Sequence, residues 1–239
     1  MERDELYRMI DEKEGFASLS FPALMRKVYV WMAMALLITG FTAWGVASSP
    51  NLMIAIYSSK VVFFGIIIAE LALVMGVSGA INRLSLTTAT LLFTLYSVLN
   101  GVTMSMIFAL YSSTVITKVF LITAGTFGAM ALVGHTTKTD LTSMGKLLMM
   151  ALIGIILATV VNIFLKSSGL DLIISYIGVA VFVGLTAYDT QKIKQMLALC
   201  PDAGEQAQKL ALLGALSLYL DFINLFLYLL RIFGGRNNN

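Results

Sequence analysis

The chain has 239 residues, of which 59% are hydrophobic and 12% charged, with a net charge of +3 and a mean hydropathy of +0.89. Soluble domains carry roughly 45–50% apolar and about 25% charged residues, so a soluble enzyme, a disordered tail and a nucleic-acid binder are excluded. A single cysteine excludes a disulfide framework.

The first 27 residues hold eleven charges, six of them acidic. A secretory signal needs a basic start and a short apolar core, so residues 1–27 are predicted as a charged cytoplasmic N-terminal tail. Beyond it, apolar runs recur between charged breaks at about 28–47, 61–81, 86–110, 115–134, 147–165, 171–189 and 210–233. Each is long enough to cross a hydrocarbon core of about 30 Å at 1.5 Å per helical residue. The expectation is an all-α integral membrane protein: a seven-helix transmembrane domain over 28–233 and a short C-terminal tail at 234–239. Ser97, Asn100, Thr103 and Ser105 make the third run the most polar and the easiest to split.

Lys and Arg fall eleven to five on alternate sides of these spans. The cytoplasmic side carries the excess, which predicts a cytoplasmic N-terminus and an external C-terminus in the cell inner (plasma) membrane. The loops are too short to hide a catalytic domain. No Walker loop, G-x-S-x-G or H-E-x-x-H motif occurs. His135, the lone histidine, reads as a loop residue and Cys200 as an incidental thiol. Accordingly no metal centre, cofactor or enzymatic activity is expected, and the bilayer itself is the first partner.

A charge kept near a helix centre costs about 2.5–3.5 kcal/mol on insertion scales, so each one is a functional candidate. Three qualify: Glu70 in IIIAELALV, Asp189 in GLTAYDTQKIK and Asp221 in LSLYLDFINLF. Pro201 and Gly204 mark a turn between the last two. If the sixth helix runs to about Leu199 and the seventh starts near Gln208, the two form an antiparallel hairpin with Asp189 and Asp221 at similar depth. Helix rotation, which the sequence does not fix, decides whether they face each other; two carboxylates in contact in a low-dielectric bundle cannot both ionise cheaply and would share a proton and titrate as a pair. Glu70 is a candidate pathway residue or a hydrogen-bonding contact between helices.

Tyr188, Asp189, Thr190, Gln191 and Ile193, followed by Ser217 to Leu225 and by Arg231, Phe233 and Gly234, resemble the Bax inhibitor family of transmembrane proteins, in particular its bacterial members. The resemblance covers about residues 20 to 235. It implies two three-helix layers around a central C-terminal helix, and a pH-sensitive calcium leak governed by Asp189 and Asp221. It also implies an arginine latch from the second helix, for which Arg83 is the candidate, and it links bacterial members to a membrane protease as partner. A non-conducting membrane regulator is the alternative. An intramembrane aspartyl protease also sets one Asp on each of two helices, and Tyr188-Asp189 fits it. Asp221, however, follows Leu218, Tyr219 and Leu220 instead of the Gly-x-Gly-Asp such enzymes carry.

Overall fold

A computed structural model describes the backbone of residues 3–234 and the side chains of residues 21–234. Among them are nine helices and no strand: α1 (Arg3–Ala47), α2 (Pro50–Tyr57), α3 (Lys60–Ala80), α4 (Leu86–Met104), α5 (Met106–Leu110), α6 (Ser113–Thr136), α7 (Thr142–Leu165), α8 (Ser168–Ala198) and α9 (Glu205–Phe233). Seven spans result, with α4 and α5 together making the third and α1 contributing Phe21–Ala47 to the first. Residue 27, the expected tail boundary, lies inside α1. Serine sets several starts: the hydroxyls of Ser59, Ser85, Ser112 and Ser167 accept the N–H of Val62, Thr88, Val115 and Leu170, satisfying donors that the first helical turn leaves free.

Residue 105 splits the third span, the one whose polarity invites a break. Ser105 N–H turns to Val102 O at 3.2 Å, a tighter three-residue closure in place of the α-helical bond. Tyr57, at the end of α2, holds this point by donating to Val102 O and Thr103 O, both at 3.0 Å. The short α2, expected only as loop, thus supports the interruption.

Helices α1, α3 and α4 form one layer and α6, α7 and α8 the other, with α9 between them against α8, α1, α6 and α4. Burial confirms the centre. In the most apolar window of α9, 67% of residues are buried, against 6% in α3 and in α7. Lipid offers no hydrophobic drive for one helix to bind another, so small residues and close packing hold the bundle. Gly134 of α6 lies against the Ala187 carbonyl of α8, Gly145 of α7 receives the Tyr188 ring, and Gly101 of α4 faces Thr42 and the Thr39 carbonyl of α1. A Cβ at Gly101 would come within 2.6 Å of Thr42 Cβ.

Candidate functional site

The segment AYDTQKIK lies on α8, and its helical period sends successive residues to different neighbours. Tyr188 turns to α7 at Gly145, and Ile193 turns to α9 at Gly214. Gln191 ties down the α6–α7 loop: its Nε2 donates to Thr139 O at 2.8 Å and its Oε1 accepts Leu141 N–H at 2.8 Å. In the same loop, the Thr142 hydroxyl and N–H donate to Asp140 and hold its carboxyl below the usual carboxylate range. Lys194 donates to His135 O at 2.7 Å. With its neighbours committed elsewhere, Asp189 is left beside α9.

Helix α9 carries Asp221 at its centre, 5% exposed, with Oδ2 buried and without a hydrogen-bond partner. Asp189 is close enough for its charge to act on Asp221. The contacts of Ile193 with Gly214 and of Tyr228 with Gly178 set the α8–α9 register and put Asp189 level with Ser217 and Leu218. Asp221 therefore lies about one helical turn, roughly 5 Å, farther from the hairpin turn than Asp189. The hairpin expected from the sequence placed the two closer to level. The end of α8 at Ala198 matches expectation, while α9 starts at Glu205, ahead of the expected Gln208.

Among the described residues, neither aspartate forms an ion pair. The cation acting on Asp189 is Lys192, whose Nζ lies 5.8 Å from the centre of the Tyr188 ring. Arg83 is exposed in the turn after α3, a turn linked to the base of α9 by the Gln206–Asn82 hydrogen bond of 3.0 Å. No described group of three or more His, Cys, Asp or Glu side chains could hold a metal ion. Burial and the neighbouring Asp202 raise the Cys200 thiol above its ordinary value, the opposite of what activates a nucleophile.

Glu70 belongs to a different cluster. The Thr103 hydroxyl donates to Glu70 Oε1 at 2.9 Å, joining α3 to α4. Tyr219 donates to Asn100 Oδ1 at 3.0 Å and accepts from the Thr39 hydroxyl at 2.7 Å, whose oxygen also lies 2.9 Å from Ser97 O. Asn100 and Thr103 were legible as polar residues in an apolar run. Thr39 was not singled out and Tyr219 was quoted only within the motif, because nothing in their spacing tells which way each helix is turned. Thr190, whose buried hydroxyl oxygen has no partner, was quoted only within the motif.

Residues 22–238 match the family model described as "Inhibitor of apoptosis-promoting Bax1". The chain is 52% identical to the inner membrane protein YbhL of Escherichia coli strain K12 over 220 residues, 89% of this chain and 91% of that one. It is 47% identical to a protein of Borreliella burgdorferi, covering 90% and 93% of the two chains. A membrane protein of Streptococcus pyogenes is 38% identical over 89% and 92%. With the two layers packed about α9 and residues 22–238 matched, the match spans the bundle, and the chain belongs to the Bax inhibitor family.

Proposed function

We propose that the protein is a pH-sensitive calcium leak of the inner membrane, gated by the Asp189 and Asp221 pair. The observation that carries this reading is Asp221 itself: a carboxylate buried on the central helix, with one oxygen unpartnered and a second carboxylate within electrostatic reach. A group so costly to keep in a membrane marks a pathway or a proton site. Proton uptake by either carboxylate changes the repulsion between α8 and α9, which is the differential energy a switch needs. Carboxylate, backbone and water oxygens suit calcium, and conduction asks that the site be weak. We take the N-terminus as cytoplasmic, from the distribution of Lys and Arg.

The test is ion flux into liposomes holding only this protein, across a pH series, with calcium, sodium and potassium compared. The expected result is calcium flux that varies with pH. No flux at any pH would remove the channel reading and favour the non-conducting regulator.

The latch role of Arg83 rests on α3 adopting another arrangement, because the guanidinium is exposed in a turn here. Under that proposal, Arg83→Gln displaces the midpoint of the flux-versus-pH curve. A curve that superimposes on wild type at matched protein density would retire the latch.

A further inference from the structure

A second feature, independent of the aspartates, runs along the seam between α1 and α6. Three adjoining cavities of about 440, 630 and 110 Å³ lie there. They share Leu36, with Ala33 common to the first two and Phe120 common to the second and third. Their lining is almost wholly apolar. From Tyr29 to Trp44 on α1 the groove is about 22 Å long at 1.5 Å per residue, more than one leaflet's share of a hydrocarbon core of about 30 Å.

The two helices facing this groove carry small residues, Ala33 and Gly40 on α1 and Gly128 and Ala131 on α6. Such residues ordinarily let membrane helices close on each other. Here a Cβ at Gly40 or at Gly128 would meet no atom within 4 Å. Each helix is instead anchored by its other side, α1 to α4 at Gly101 and α6 to α8 at Gly134. The rest of the fold thus holds the seam open over the length of a lipid tail.

One end of the groove is polar. Tyr29 and His135 line it there, and His135 Nδ1 is buried without a hydrogen-bond partner. Arg26 stands one helical turn before Tyr29 on the same face of α1, and Lys138 stands in the loop two residues past the end of α6, both exposed. No acidic residue lines the groove. An apolar channel that ends in two cations and an imidazole at the membrane face complements one molecular class, a lipid with an anionic phosphate headgroup.

We propose that the α1–α6 seam binds one acyl chain of an anionic phospholipid, with its headgroup between Arg26 and Lys138. Trp44 lies in the groove and is one of two tryptophans, so Trp31→Phe leaves it as the sole fluorescent reporter. The full chain with this substitution is reconstituted in phosphatidylcholine vesicles containing increasing shares of brominated phosphatidylglycerol. Quenching of Trp44 is expected to saturate early, with a preference over phosphatidylcholine of roughly five-fold or more, the scale set by one or two basic residues at a membrane surface. Adding Gly128→Phe or Gly40→Leu fills the groove from positions with open space above them and should reduce the preference to about one. Quenching that simply follows the bulk share of brominated lipid in the parent protein would overturn the proposal. So would filled variants whose curves superimpose on it, or crosslinking that shows a second copy seated on this face. None of these outcomes depends on calcium flux.

Discussion

Gly134→Val is expected to yield protein that does not assemble a stable bundle, while Gly128→Val, less than two turns away on the same helix, folds normally. A Cβ at Gly134 lands on the Ala187 carbonyl of α8, whereas one at Gly128 meets nothing within 4 Å. Overpacking usually costs about 1–3 kcal/mol because side chains rotate aside. A backbone carbonyl within a helix cannot rotate aside, so the loss at Gly134 should reach or exceed the upper end of that range. Thermal unfolding in detergent compares the two variants directly. Equal midpoints would show that α6 and α8 are not in contact at Gly134.

The second large effect concerns the aspartates. Asp189→Asn and Asp221→Asn should each abolish or strongly flatten the pH dependence of calcium flux, because removing either carboxylate removes the coupled titration. Asparagine keeps the size and loses the charge, so folding should survive in both variants. The paired reading makes the double variant no flatter than the singles, as expected for two groups that act as one unit. Single variants that retained the wild-type pH profile would remove the pair from the proposed mechanism.

Seven spans were legible because each needs only length and apolar composition, quantities a sequence carries without reference to neighbours. The overrun of α8 past the apolar stretch to Ala198 was legible too, since nothing breaks the helix before Cys200 and Pro201. The eight-residue α2 was not, because a helix that short draws its stability from a contact, here that of Tyr57 with the break at Ser105. Likewise the depth of the two aspartates rests on how Ile193 seats over Gly214, a matter of helix register that counting from a turn only approximates. Their identity as charges kept within apolar spans needed no register at all. Glu70 shows the same limit: its charge marked it, but its partner Thr103 follows from the rotation of α3 against α4.

Tyr219 and Asp221 are two residues apart on α9, and successive helical residues are separated by about 100°, so they point to nearly opposite sides of the axis. Tyr219 is bonded to Thr39 and Asn100 in the α1–α4 layer, while Asp221 sits by Asp189 of the other layer. Any twist of α9 that carries Asp221 away from α8 must therefore also wring the Tyr219 hydroxyl off its two partners. The central helix has a detent: small excursions are pulled back by that hydroxyl, and a full turn-out breaks both of its hydrogen bonds together. In the leak proposed above, opening by axial rotation would then be an all-or-none event, with the phenol setting the threshold and the carboxylates supplying the torque.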